Sequence, residues 1–238
     1  MRERVENLYR QGRRHEMAGE VEPARRYLEE ALAGAEDAGL EDMLLRIRSI
    51  LGVVSHKEGN LAETRLHLEV ALELALARAD LMAEAYVRQE LGFLLLGEGR
   101  PDESRSEFLR ALALAPAVGI VNLTGNALSG LGVAALAVDR AADAVPLLLG
   151  ALGIRTEIDD FEQQHVDLVH LARAASQLGQ HEIAAGVAGF LVRSPETSKG
   201  MYAHDRRAFD ALVATVPTNA AITSFAEARS AVAALVSP

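Results

Sequence analysis

The seven histidines are the residues of this sequence most able to do chemistry, because imidazole binds metal ions and transfers protons near neutral pH. They are scattered along the chain, at positions 15, 56, 67, 165, 170, 181 and 204. His165 and His170 are five residues apart, which turns them about 140° from one another on a helix. They therefore cannot share a ligand face as residues i and i+4 would. The sequence predicts no metal site and no cofactor.

Carboxylates and serines form no catalytic pattern either. The pairs Asp159-Asp160 and Glu29-Glu30 fit helix ends or solvated faces, and no serine stands in a nucleophile-elbow context. The chain has no cysteine, which excludes disulfides and thiolate metal sites. We therefore predict no catalytic residues and no enzyme. An enzyme with an unrecognised site is the weaker alternative, and it would require ionisable groups that converge in one pocket.

A glycine-rich stretch, residues 130–135, has the G-x-G-x-x-A form of a dinucleotide-binding fingerprint. That fingerprint has meaning only where a strand turns into a helix, and no strand is predicted before it. Gly132 also belongs to a series of small residues that recur every 40 positions. The stretch therefore predicts helix packing and no nucleotide site.

The elements that would position functional side chains follow an internal repeat of 40 residues. One position of the repeat is always small: Gly12, Gly52, Gly92, Gly132 and Ala172. A second position is glycine in all copies but one: Gly19, Gly59, Gly99, Asp139 and Gly179. A third is bulky until the last copy: Leu28, Leu68, Phe108, Leu148 and Ala188. A period of this kind predicts an array of helical hairpins.

The stretch Leu91–Ala111 is the clearest copy of the repeat and reads as helix, tight turn, helix. Gly92 lies inside the first helix, where glycine costs about 1 kcal/mol relative to alanine, so it indicates a close helix crossing. Gly99 suits the left-handed backbone that follows many helices. Pro101 fits the first turn of the next helix, and Phe108 faces back toward the first. We expect Pro116 to end that next helix at Ala115.

The order of small, glycine and bulky positions resembles the tetratricopeptide repeat (TPR), although that family usually has a period of about 34 residues. The resemblance runs from about Val5 to Val192. It implies an all-α fold, a right-handed α-solenoid of about five antiparallel helix pairs, whose first helices line a concave groove that binds a partner. We place the repeats at residues 1–39, 40–79, 80–119, 120–158 and 159–200, followed by capping helices at 201–238.

The C-terminal segment carries a second resemblance. Residues 184–191, then YAHDRRAFDALV at 202–213, then 225–229 are similar to the C-terminal end of large bacterial LuxR-type and AfsR-type transcription regulators. The chain lacks the phosphate loop and the DNA-binding helix pair of those proteins, so no ATPase or direct promoter-binding role is predicted. We expect this tail to cover the open apolar end of the fifth repeat, as terminal units of solenoids do.

Charge and hydropathy limit the partners and the cellular compartment that the sequence predicts. A net charge of −10 disfavours direct nucleic-acid binding, which needs phosphate neutralisation by Lys and Arg. The N-terminus lacks the apolar run of a signal peptide, so we predict a cytoplasmic protein. The fourth repeat is apolar but has no run of the roughly 20 residues that a membrane span needs. It is either buried between its neighbours or exposes an apolar surface to a partner.

The repeat register also predicts which side chains line the groove. Positions six and three before the small residue, and one and four after it, face the concave side. We predict a binding site centred on Tyr86, Gln89, Phe93, Asn126 and Ser129, with Ser49, Val53 and His56 beside them. Aromatic rings and amides of this kind are typical of a peptide or small-ligand groove. The competing interpretation is that Phe93 only packs between neighbouring helices.

The function predicted from these features is a non-enzymatic TPR-like scaffold that binds a protein or peptide in its groove. We also expect it to be the sensor part of a bacterial transcription regulator. The alternative is a small-molecule sensor that uses the same groove and changes the curvature of the solenoid when it binds its ligand. Homodimer formation is left open.

Overall fold

The computed structural model describes residues 1–198, 201–218 and 221–236, and every regular element there is a helix. The prediction of an all-α solenoid is confirmed. The helices are α1 (Arg2–Met17), α2 (Val21–Asp37), α3 (Glu41–Lys57), α4 (Leu61–Ala77), α5 (Leu81–Gly97), α6 (Pro101–Val118), α7 (Val121–Ala137), α8 (Ala141–Glu157), α9 (Phe161–Gln177), α10 (His181–Arg193), α11 (Ala203–Thr215) and α12 (Phe225–Ala233). Short 3-10 turns lie at Pro195–Ser198 and Ala234–Val236.

Helices α1 to α10 form five antiparallel pairs that stack on one another along the chain. The first helices of successive pairs (α1, α3, α5, α7 and α9) also contact each other, so they form the inner layer of the solenoid. The second helices (α2, α4, α6, α8 and α10) form the outer layer. Side chains on the inner helices that point away from their partner helix therefore face the concave side.

The two helices of a hairpin approach each other most closely at the small residue of the repeat. A Cβ atom at Gly92 would lie 2.7 Å from the Phe108 ring, and one at Gly132 would lie 2.6 Å from Leu148. Gly12 and Gly52 meet Leu28 and Leu68 in the same way. The predicted close crossing is therefore confirmed. Gly130 packs against Phe108 as well, so helix packing accounts for both glycines of the 130–132 stretch.

Every connection between consecutive helices from α1 to α10 contains one residue with positive φ. Glycine occupies most of these positions, and the exceptions are Ala79 (φ 50°), Asp139 (φ 57°) and Asp159 (φ 56°). A side chain in this left-handed region costs roughly 1–2 kcal/mol. Each turn therefore keeps one residue with a left-handed backbone, even where that residue is not glycine.

Helix α6 ends later than the sequence suggests. We expected Pro116 to stop it at Ala115, but α6 continues to Val118 with Pro116 inside its last turn. Proline there removes one backbone hydrogen bond near an end that frays in any case. The helix ends where Gly119 (φ 70°) donates its N–H to the Ala115 carbonyl oxygen.

The C-terminal helices cover two different surfaces. Helix α12 packs on α9 and α10 through the fully buried Ala228 and Val232, and so covers the apolar end of the array. Helix α11 lies across α9 and reaches α5, on the concave side. Residues 199–200, 219–220 and 237–238 of the predicted repeat and cap segments lie outside the described residues. No described helix has both the length and the apolar character that a bilayer span requires.

Candidate binding groove

An open cavity of about 590 Å³ lies on the concave side between the inner helices of the first four pairs. Four of the predicted site residues line it, namely Ser49, Tyr86, Gln89 and Asn126. Its walls also include an apolar set: Leu45, Ile50, Met82, Ala83, Ile120 and Leu123. A volume of this size and a mostly apolar wall with a few polar groups are typical of ligand sites.

A second cavity of about 920 Å³ adjoins the first, and the two share Tyr86, Gln89 and Asn126. Phe93 lines only this second cavity, together with Glu90 and residues of the C-terminal segment. The two cavities therefore form one groove, with an open end between α1, α3, α5 and α7 and a deep end that the C-terminal segment partly fills.

The remaining predicted residues are buried and line neither cavity. Val53, His56 and Ser129 are 3%, 1% and 6% exposed. His56 stacks under Tyr202, with 4.6 Å between the ring centroids, and the Ser129 hydroxyl donates to Asp167 Oδ1 at 2.6 Å. The repeat register placed these side chains on the inner face, but the C-terminal segment covers His56 and α9 covers Ser129. Their role in ligand binding stays a prediction.

Phe93 shows both behaviours that the sequence left open. Its ring packs edge-on against Phe108 at 4.9 Å between centroids, which is a core contact. The ring also lines the deep end and lies 5.3 Å from the ring of Tyr202. Phe93 therefore forms the floor of the deep end as well as part of the hairpin core.

Arg46 supplies a cation to the open end of the groove. Its guanidinium lies 4.6 Å from the Tyr9 ring centroid, and no carboxylate pairs with it among the described residues. Arg13, the neighbouring cation, is already bound to Glu16 at 2.5 Å. Arg78, the third arginine of the open end, lies 4.0 Å from Glu41, so Arg46 is the side chain best placed to bind an anionic group of a ligand.

Gln89 is the polar centre of the groove. It is 2% exposed, and its Nε2 donates to Glu90 Oε1 at 3.3 Å, whereas its Oε1 is buried and has no hydrogen-bond partner among the described residues. A buried acceptor without a partner costs about 1–3 kcal/mol. Gln89 borders both cavities, so a rotation that turned Oε1 toward an N–H or O–H donor of a ligand in the groove would remove that cost.

Arg155, which is 1% exposed, orients the side chains of Asn122 and Asn126 from the protein interior. The Arg155 guanidinium donates to the side-chain oxygens of both asparagines. Their amide N–H groups are therefore the part left to bind a ligand. Arg155 lies 3.7 Å from Asp167, whose pKa is raised by burial against the opposing effect of this cation.

Histidines that are far apart in sequence converge beneath the deep end. His170 Nε2 lies 2.8 Å from Asp205 Oδ1, His204 Nε2 lies 3.3 Å from the same oxygen, and the His56 and His204 rings are 5.9 Å apart. Sequence spacing missed this cluster because His204 and Asp205 arrive from the C-terminal segment. No simple signal in the sequence pairs that segment with α3 and α9.

The four residues of this cluster are His56, His170, His204 and Asp205. Its four residues line neither groove cavity, and the described residues contain no group of three or more side chains placed to hold a metal ion. Burial lowers the pKa of His56 to about 4, helped by His204, and burial also lowers the pKa of His204. Both histidines are therefore neutral near pH 7, and the cluster fixes the start of α11 against the solenoid.

Glu90 is the ionisable group at the junction of the groove and the C-terminal segment. It is 3% exposed and accepts a hydrogen bond from the Tyr202 hydroxyl at 2.9 Å. Burial raises the pKa of Glu90 to about 7, although the bonds from Tyr202 and Gln89 oppose that rise. Near neutral pH this side chain therefore changes between a neutral acid and a buried carboxylate.

Comparisons with known proteins bear on the fold. No protein-family model and no curated protein matches this chain. Among solved structures, it is similar to a Podospora anserina protein assigned as a kinesin light chain with nearly identical TPR-like repeats. The TM-score is 0.57 at 17% sequence identity, over 88% of this chain and 94% of that one. At this identity the likeness concerns the fold alone, which is a TPR-like helical repeat.

Proposed function

We propose that this chain is a non-enzymatic TPR-like scaffold that binds a protein or peptide segment in its concave groove. The observation that carries the proposal is the open end of the groove, where Arg46 and Gln89 line a pre-formed, mostly apolar cavity of about 590 Å³. The inner helices place both residues at the cavity wall before any ligand arrives. Binding therefore does not require the ordering that weakens association with flexible surfaces.

The groove chemistry matches an extended peptide. The Gln89 Oε1, once the side chain turns toward the groove, would accept a backbone N–H, and the amide N–H groups of Asn122 and Asn126 would donate to backbone carbonyls. Arg46 would pair with an acidic side chain. The apolar wall around Met82 and Ile120 would receive a neighbouring apolar side chain.

Exposed apolar side chains at the edge of the groove favour a protein partner. The first turns of α5, α7 and α9 expose Leu81 (45%), Met82 (56%), Val121 (52%) and Phe161 (62%). Because these positions are about 40 residues apart, they follow the edge of the solenoid from one repeat to the next. A continuous apolar edge of this kind extends the contact area beyond what a small ligand would use.

The test is selection of peptides from a random display library against the folded chain, followed by fluorescence anisotropy on labelled hits. Arg46→Ala and Gln89→Ala should each weaken the hits by about tenfold, the effect of losing one good polar contact. Arg229→Ala, which removes an exposed arginine of α12, is the matched control and should change nothing. Hits that bind both groove variants as tightly as the wild-type chain would show that the groove is not the binding surface.

A small-molecule sensor is the second candidate, and the size of the cavity favours it. Its volume of about 590 Å³ is within the range of pockets for small ligands. Native mass spectrometry of the protein purified from its source separates the two functions. A retained small mass that Gln89→Ala abolishes would favour the sensor.

The regulatory role is a further part of the proposal and rests on the sequence similarity of residues 202–213 and 225–229 to LuxR-type and AfsR-type regulators. In that role the chain acts in the cytoplasm as the sensing part of a transcription regulator, with repeats up to residue 200 and a capping segment after it. It contacts DNA only through another protein. Sedimentation analysis of the purified chain tests the accompanying question of a homodimer.

A further inference from the structure

The start of α11 occupies the deep end of the groove as a ligand would. The Tyr202 ring stacks on His56 at 4.6 Å and lies 5.3 Å from Phe93, both between ring centroids. Its hydroxyl donates to Glu90, which lies 112 residues earlier in the chain. One aromatic side chain of the tail thus contacts the inner helices of the second and third repeats.

A second anchor lies three residues further on. Asp205 Oδ1 binds His170 on α9, and Asp205 Oδ2 accepts the backbone N–H of Tyr202 at 3.2 Å. The carboxylate therefore fixes the first turn of α11 and attaches it to the fifth repeat at the same time. A tyrosine and an aspartate three residues apart therefore place both anchors at the N-terminus of one helix.

The two parts of the tail are held by different forces. Helix α12 buries Ala228 and Val232 against α9 and α10, and these side chains have no favourable alternative in water. Apart from the Phe93 ring beside Tyr202, the contacts of Tyr202 and Asp205 are instead with ionisable and polar groups, which water can solvate when the segment leaves. The start of α11 can therefore detach while the α12 cap stays in place.

We propose that residues 201–205 are a built-in ligand of the groove, and that the partner is a peptide presenting a tyrosine with an acidic residue three positions later. This inference rests on the proposed function and names the partner class of the same groove. The partner tyrosine takes the place of Tyr202 between His56 and Phe93. Its acidic residue takes the place of Asp205 beside His170.

The tail then competes with the partner inside one molecule. The apparent dissociation constant equals the intrinsic value divided by the fraction of molecules whose deep end is open. Loss of the Tyr202 contacts raises that fraction. Substitution of Tyr202 should therefore tighten the binding of a partner peptide, which is the opposite of the usual effect of removing an aromatic side chain from a site.

The experiment uses the full chain and a fluorescein-labelled synthetic peptide with the sequence of residues 201–210. Anisotropy titrations compare the wild-type chain with Tyr202→Ala and with a matched control, Tyr27→Ala. Tyr27 lies on α2, and its ring stacks on that of His15 with 5.3 Å between the centroids. We expect Tyr202→Ala to bind the peptide at least about tenfold more tightly than the wild type does. Tyr27→Ala should bind like the wild type, and a peptide with alanine in place of its tyrosine should not bind.

A measurement on the wild-type chain covers the case in which Tyr202→Ala does not fold. Excess peptide should speed hydrogen exchange of the backbone amides at the start of α11, because the peptide displaces that segment. Unchanged exchange at saturating peptide would overturn the inference, as would equal peptide affinity in folded wild type and Tyr202→Ala. If library-selected peptides still required Arg46 and Gln89 in that case, the inference alone would fail and the proposed function would stand.

Discussion

Replacement of Glu90 by glutamine should stabilise the protein, and the gain should increase with pH. The Glu90 carboxyl has a pKa of 4.5 when unperturbed and about 7 in the folded protein, because burial disfavours its charge. At 1.36 kcal/mol per pKa unit, the ionised side chain destabilises the fold by about 3 kcal/mol at alkaline pH. A glutamine at this position would carry no charge and would keep an oxygen that accepts the Tyr202 hydroxyl.

The sign of the pH dependence follows from proton binding. Between pH 4.5 and about 7, the folded protein keeps the Glu90 proton while the unfolded chain has lost it, so the folded state loses stability as pH rises. Glu90→Gln lacks this loss. Its advantage over the wild type should therefore grow by about 2 kcal/mol between roughly pH 5.5 and pH 8.5 and change little above that.

Urea unfolding followed by circular dichroism at those two pH values measures the effect. All other ionisable groups are common to both proteins, so the difference between variant and wild type isolates Glu90. Glu73→Gln, an exposed change on α4, is the matched control and should show no pH-dependent gain. An advantage of Glu90→Gln that is the same at both pH values, or that shrinks as pH rises, would refute the assignment of a costly buried charge.

Two further predictions test the frame that holds the groove. Gly130→Ala should destabilise the protein by about 1–3 kcal/mol in urea unfolding, because its methyl group would press on the Phe108 ring, whose other side faces Gly92. Gly153→Ala, where the added Cβ meets no atom within 4 Å, is its control and should stabilise α8 by about 0.5–1 kcal/mol. Equal effects would contradict the packing argument. Ala79→Gly should raise stability by about 0.5 kcal/mol because it relieves a positive φ, and a lower melting temperature would count against that strain.

The helical frame was predictable from the sequence because every hairpin has the same local packing requirement. A close crossing requires a residue without a large side chain, and a bulky residue 16 positions later fills the space, as Gly92 and Phe108 do. Both requirements act within a single hairpin, so spacing alone reveals them. The end of α6 was missed because proline in a last turn costs little, and Gly119 rather than Pro116 ends the helix.

The open end of the groove was predictable for the same reason, since the register of α3, α5 and α7 assigns Ser49, Gln89 and Asn126 to the inner face. The deep end was not predictable. Its shape depends on Tyr202, which approaches from a segment outside the period. A repeat pattern reports contacts within one hairpin and between neighbouring hairpins, and it contains no information about a non-repeating tail that crosses several of them.

The proposed function accounts for the buried pair Arg155 and Asp167 better than stability does. Both side chains are 1% exposed, and burying two charges 3.7 Å apart stabilises a fold less than well-packed apolar residues do. The equivalent positions two repeats earlier are apolar and buried. What Arg155 does provide is a fixed orientation for Asn122 and Asn126 at the wall of the groove. Under the proposed function, the cost of the pair is the cost of holding two amide groups ready for a ligand.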